Sequence, residues 1–143
     1  MTANQISVFV ENKSGALAQI TKELSDAGVN LRALSIAETH DFGVLRFIAD
    51  QEEKAVEALR SAGHVLSVTP VLAVLLKDEP GTFSKTVEAL AAANIDVEYV
   101  YAFVAPKKDH AWVVLRVNDA EKAEATLTAA GVPILTPKDV EEI

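Results

Sequence analysis

The chain repeats itself around a turn. Glu11-Asn12-Lys13-Ser14-Gly15-Ala16-Leu17 returns 66 residues later as Lys77-Asp78-Glu79-Pro80-Gly81-Thr82-Phe83. Each copy joins an apolar run (Ile6 to Val10; Val71 to Leu76) to a segment of helical period. A strand that bends through glycine straight into a helix leaves the first helical amides without intrahelical partners, and the helix dipole makes them partly positive. A small anionic group, such as an amino acid carboxylate, settles there without any dedicated side chain.

The rest of the chain repeats with the turn. Residues 5–10 alternate as a half-buried strand with Ile6, Val8 and Val10 on one face. Leu17, Ile20, Leu24 and Ala27 then form one apolar helical stripe, stopped by Gly28. Residues 30–39 read as a second strand, residues 40–43 as a turn and 44–49 as a third strand. A helix follows over 51–62, with Ala55, Val56 and Leu59 inward, then a short strand over 64–69. Pro70 marks a junction. The second copy runs as a strand over 71–76, a helix over 82–93 with Phe83, Val87 and Leu90 inward, strands over 95–104 and 111–117, a helix over 120–130 and a last strand over 132–135. Thr136-Pro137-Lys138-Asp139 predicts a capped terminal helix.

All four longer helices end alike: Ala27-Gly28-Val29, Ala62-Gly63-His64-Val65, Ala93-Asn94-Ile95 and Ala130-Gly131-Val132. The chain therefore reads as an α+β protein of two ferredoxin-like βαββαβ units, residues 1–70 and 71–143. Right-handed crossovers give each unit a four-stranded antiparallel sheet with both helices on one face. Units of this size make small cores, so the sequence predicts that they bury surface against each other.

Composition narrows the function. Of the net charge of −8, residues 1–70 hold 6 basic and 9 acidic groups and residues 71–143 hold 7 and 12. Neither half offers a surface for nucleic acid, and no segment suits a membrane surface or span. Cysteine is absent, which removes disulfide and thiol chemistry. The sequence shows no signal peptide, and a cytoplasmic location is expected. His40, His64 and His110 match neither a nucleophile relay nor a zinc motif. Pairs such as Glu52-Glu53 fall on solvent faces, and no phosphate-loop pattern occurs. No enzyme, metal site or cofactor is expected.

Strand alternation places Ser7, Phe9, Val44 and Arg46 on the face away from the helices in the first unit. In the second it places Ala73, Leu75, Trp112, Val114 and Arg116 there. The second set is apolar for an open face, which predicts a two-fold dimer through it. Tyr99, Tyr101 and Phe103 alternate where the first unit has Ala33, Ser35 and Ala37. These rings serve packing, and a tyrosine hydroxyl near the turn also offers a ligand contact.

The strand, Asn12-x-x-Gly15-x-Leu17, and the stop at 27–30 resemble the ACT domain, a small amino acid-binding regulatory module. The second copy, Asp78-x-Pro80-Gly81-x-Phe83 with Ala93-Asn94-Ile95-Asp96, is closer to the family's usual form through its Pro-Gly pair. Together the two cover essentially the whole chain, like a stand-alone tandem ACT protein. The resemblance implies domains paired side by side in one sheet, with an amino acid at the seam. Carried over residue by residue, the ligand candidates are Asn12, Lys13, Gly15, Ala16, Leu17 and Asn30, and Asp78, Pro80, Gly81, Thr82, Phe83 and Asp96. Amides after Gly15 or Gly81 would take the carboxylate, and Asn12, Asn30, Asp78 or Asp96 the ammonium. Asn and Asp before a glycine turn are also ordinary turn residues that bond their own backbone.

The expectation is a non-catalytic amino acid sensor, homodimeric, acting on a metabolic enzyme or transporter. A constitutive regulatory subunit with decayed ligand sites is the alternative. The sequence does not choose among amino acids.

Overall fold

A computed structural model of the chain describes residues 2–38, 41–104 and 107–142. Its elements follow the order β1 (Ala3–Glu11), α1 (Ala16–Asp26), β2 (Leu31–Glu38), β3 (Phe42–Ala49), α2 (Glu52–Ser61), β4 (Leu66–Lys77), α3 (Thr82–Ala92), β5 (Val97–Val104), β6 (His110–Val117), α4 (Ala120–Ala129) and α5 (Pro137–Glu141). Two compact units result, Asn4–Thr69 and Pro70–Ile143 with Met1–Ala3.

In the first unit β3 lies between β1 and β2, antiparallel to both, in the register Val8↔Leu45 and Ile36↔Leu45. Phe9 donates its amide to Val65 O at 3.1 Å, which sets the chain leading into β4 beside β1. In the second unit β6 lies between β4 and β5, with Val74↔Val113 and Ala102↔Val113. The expected last strand is reduced to a bridge, Val74↔Ile134, flanked by bonds from Leu75 N to Pro133 O and from Leu135 N to Ala73 O. Neither half's fourth strand is a separate element. In the first it is the opening of β4, which runs unbroken through Pro70. Proline is tolerated there because a strand can leave one N–H position unused.

The four helix stops share one geometry. Gly28, Gly63, Asn94 and Gly131 take φ of 74°, 87°, 60° and 79°. The next residue reaches back five positions at each stop: Val29 to Leu24 O, His64 to Leu59 O, Ile95 to Leu90 O and Val132 to Leu127 O, at 2.9–3.0 Å. A second bond closes one turn further on, as in Gly28 N to Ser25 O at 3.0 Å. These are Schellman caps; Val29 and Ile95 are buried in the same cores as Leu24 and Leu90, and Val132 packs against the second core. The terminal helix carries its expected capping box between Thr136 and Asp139.

Each unit has its own core. Ile6, Val8, Val10, Leu45 and Phe47 pack with Ile20, Leu24, Ala55 and Leu59. Leu72, Val74, Leu76, Val113 and Leu115 pack with Leu90, Ala123 and Leu127. Each fully buried leucine contributes about 1.5–3 kcal/mol. Three expectations need correction. Leu17 and Phe83 do not point inward; they are 40% and 43% exposed. Of the expected stripes, Ile20, Leu24 and Leu90 are buried, and in the second unit Thr86, which the pattern did not mark, is buried with Leu90. Thr86 is tolerated inside because its hydroxyl donates to Thr82 O at 3.0 Å. Phe42 and Gly43 belong to β3 rather than to a turn, because cross-strand pairing to Val10 and Glu11 continues that far. Ala73, Trp112 and Val114 are buried within the single chain, so they form no open face to pair with a second one.

Candidate functional site

Both repeated bends are type II β-turns. Thr82 N donates to Glu79 O at 3.4 Å and Ala16 N to Lys13 O at 3.3 Å. Gly81 and Gly15, at the third position, take φ/ψ of 89°/−14° and 88°/−13°. That position needs positive φ, which explains the glycine; the second position suits proline, present as Pro80 and replaced by Ser14. Each glycine is also the N-cap of its helix, and no side chain caps either one. Gly15 O and Gly81 O accept from Gln19 and Lys85. The amides of Leu17, Ala18, Phe83 and Ser84 have no partner among the described residues. Neither first turn contains an acidic residue, whereas α4 and α5 begin with a side-chain cap and an acid. The start of α2 also lacks a side-chain cap but carries Glu52 and Glu53, so among the described helices only α1 and α3 start with neither a cap nor an acid against an outside anion.

In the second unit this end borders a hollow of about 360 Å³, lined by Asp78, Glu79, Phe83, Val100, Ala102 and Val113 among others. One rim carries Asp78 and Glu79 beside Lys77, the wall is apolar, and Phe83 from the first turn of α3 borders it. In the first unit the larger side chains Leu34 and Ile36 stand where Val100 and Ala102 stand in the second. There Asn12 Nδ2 donates to Glu38 Oε1 at 2.8 Å, tying the turn to the end of β2. Lys13 pairs with Glu11 at 2.8 Å. That contact raises the Lys13 value and lowers that of Glu11, in each case chiefly through the hydrogen bond between them.

The structure brings Asn12, Lys13, Gly15, Ala16 and Leu17 together at one turn, and Asp78, Pro80, Gly81, Thr82 and Phe83 at the other. Within a unit it does not bring Asn30 or Asp96 to them. Asn30 precedes β2, whereas the turn meets that strand at its last residue, Glu38, about 26 Å away along the strand. Asn30 is held in a clasp: its amide donates to Asp50 Oδ1 at 2.9 Å, and Asp50 N donates to Asn30 O at 3.1 Å. Asp96 and Asn118 repeat the clasp at 3.0 and 3.2 Å. Both are backbone functions and leave the Asn30 and Asp96 side chains exposed.

Tyr99 and Tyr101 pair across the sheet with Arg116 and Val114, on the face away from the helices, although Tyr101 also borders the hollow. Phe103, on that same face, meets Trp112 edge-on at 5.3 Å. His64 bonds Glu23 at 2.6 Å, and His110 Nδ1 bonds Lys108 O at 2.9 Å; His40 lies outside the described residues. The apolar wall residues Val100 and Ala102 were not among the sequence candidates. Their signal was available in β5, as the alternate set to Tyr99, Tyr101 and Phe103.

Among the described residues no cluster of three or more His, Cys, Asp or Glu could hold a metal, and no helix is long and apolar enough to cross a membrane. A family model described as an ACT domain pair matches residues 1–143. The solved structure of protein BT0572 from Bacteroides thetaiotaomicron is 35% identical, covering 100% of this chain and 98% of that one, with a TM-score of 0.94. The ligand-free regulatory subunit of aspartate kinase from Thermus thermophilus is 20% identical over 90% of both chains, with a TM-score of 0.68. That of Thermus flavus is 19% identical over 88% of both, with a TM-score of 0.64. No protein among curated sequences matches the chain.

Proposed function

Because this chain belongs to the ACT domain pair family, we propose that it is a non-catalytic regulatory protein that binds a free amino acid at its glycine turns. The second unit is the stronger site. One observation carries the reading: α3 starts uncapped, with two free amides, beside a hollow that has carboxylates on its rim and an apolar wall. The amides of Phe83 and Ser84 take the ligand carboxylate, Asp78 takes the ammonium, and Val100, Val113 and Phe83 receive an apolar side chain.

Leu34, Ile36 and Val100 on the edge strands β2 and β5 are 54%, 45% and 40% exposed. A second copy pairing along these edges would cover them and bring a strand end, with Asn30 or Asp96, to the turn. The regulated partner is an enzyme of amino acid metabolism or a transporter, in the cytosol; the naming of two structural neighbours as aspartate kinase regulatory subunits supports the enzyme.

For the first unit, the Asn12–Glu38 bond and the bulk of Ile36 favour a second reading, a turn that keeps its shape without a ligand. A thermal-shift screen against the common amino acids tests both. Ligand at one hundred times its dissociation constant should stabilise the protein by about 2.7 kcal/mol. Gly81→Val should abolish the effect and Gly15→Val should leave most of it. No shift with any amino acid at millimolar concentration would sink the sensor reading.

A further inference from the structure

A second cleft lies on the other flank of each glycine turn, against the C-terminal end of the unit's other long helix. In the first unit it measures about 310 Å³ and is bordered by Phe9, Glu11, Lys13, Gln19, Phe42 and His64 among others. In the second it measures about 440 Å³. The two are the same place in the repeat, so their linings compare position by position. Glu11 gives way to Lys77, Gln19 to Lys85, Phe42 to His110 and Ala16 to Thr82, while Lys107 joins from the turn between β5 and β6. The first cleft is neutral, its lysine paired to its glutamate at 2.8 Å. The second sets three lysines against Glu79 alone, in a half of the chain that is otherwise strongly acidic.

Lys77, Lys85 and Lys107 make no ion pair among the described residues, although Asp78, Glu88 and Asp109 are sequence neighbours within three positions. The cleft is also polarised. Lys77 and His110 are register partners at the ends of β4 and β6. Two residues back along β4, Leu75 bonds Pro133, and with Val132 they give an apolar wall.

We propose that this cleft is a second ligand site, adjoining the glycine-turn hollow, for a small organic phosphate whose anionic end meets Lys77, Lys85 and Lys107 and whose apolar body lies on Leu75, Val132 and Pro133. A bare inorganic anion would leave that wall uncovered. An uncharged molecule would leave three cations without a counter-ion. Leu76, Lys77 and Glu79 border both places, but Lys85 and Lys107 line this cleft and not the hollow, so the inference does not rest on the amino acid reading.

Calorimetric titration of the full chain with AMP, phenyl phosphate and pyrophosphate, with adenosine as the uncharged control, tests it. Saturable binding of AMP or phenyl phosphate is expected, tighter than pyrophosphate and weakening with added salt. Lys85→Ala and Lys107→Ala should each weaken it about tenfold or more. Both lysines are exposed, so the variants should fold, and an unchanged melt verifies that. Lys54→Ala, on α2 of the first unit, should change nothing. Binding of pyrophosphate alone would refute the apolar half of the proposal. Binding of no phosphate at millimolar concentration, or equal losses from Lys54→Ala, would overturn all of it.

Discussion

The two glycine turns differ at one position where the energetic consequence can be worked out. Pro80 occupies the second position of its type II turn, and Ser14 occupies it in the other. Proline fixes φ near the value this position requires, so Ser14→Pro removes freedom from the unfolded chain without disturbing the folded one. Two local conditions favour it. Ser14 is exposed and its amide makes no hydrogen bond among the described residues. The preceding residue must also suit a proline. Lys13 donates its amide to Glu11 O at 2.8 Å, the same local bond that Glu79 makes to Lys77 O at 3.0 Å immediately before Pro80. The expected gain is about 0.4–1 kcal/mol, which for a chain of this length raises the melting temperature by roughly 1–5 °C. Pro80→Ser should cost a similar amount. Urea titrations with unchanged slope and a shifted midpoint would measure both. A Ser14→Pro variant destabilised by about 1 kcal/mol or more, or a Pro80→Ser variant that melts like the wild type, would refute the shared turn geometry.

Asn94 is the only helix stop among the four that is not glycine, at φ 60°. Asn94→Gly should be neutral to slightly stabilising and Asn94→Ala should cost about 1 kcal/mol, both read from urea midpoints. Thr136→Ala should cost about 0.5–2 kcal/mol through loss of the α5 capping box, seen as earlier amide exchange at Val140. The Asp139 carboxyl sits below its ordinary value of 3.8, chiefly because the Thr136 backbone N–H donates to it. A lowered folded value means that its stabilisation is present above the ordinary value and lost as pH falls through the lower one. The difference in melting temperature between wild type and Asp139→Asn should therefore hold at neutral pH and vanish in acid well below 3.8.

The helix stops and strand faces could be read from sequence because both are local rules repeated in register. Gly28, Gly63, Asn94 and Gly131 announce themselves by residue type, and Ile6, Val8 and Val10 by alternation. Leu17 and Phe83 were misread because helical period fixes a stripe only to within a neighbouring position; Ile20 and Leu24 held the core as expected, and in the second unit Thr86 joined Leu90 there. Thr86 could not be recognised as buried without knowing that Thr82 O receives its hydroxyl. Trp112 and Val114 looked like an open face because a strand pattern says which residues share a face and nothing of what covers it. At the candidate site the turns were legible residue by residue. The hollow was not, since Val100, Ala102 and Val113 meet Asp78 only through strand register. Asn30 and Asp96 sit at the far strand ends for the same reason.

The reciprocal clasps at Asn30–Asp50 and Asp96–Asn118 carry one further lesson. Each needs only one carbonyl oxygen from a short side chain, and either an amide or an acid supplies it. The two halves have exchanged the pair: the formal negative charge sits at the end of β3 in one and just ahead of β5 in the other. Mechanical fit is therefore indifferent to where that charge lies. Duplication has left each half free to choose which strand terminus repels or attracts an approaching molecule, at no expense to its own folding.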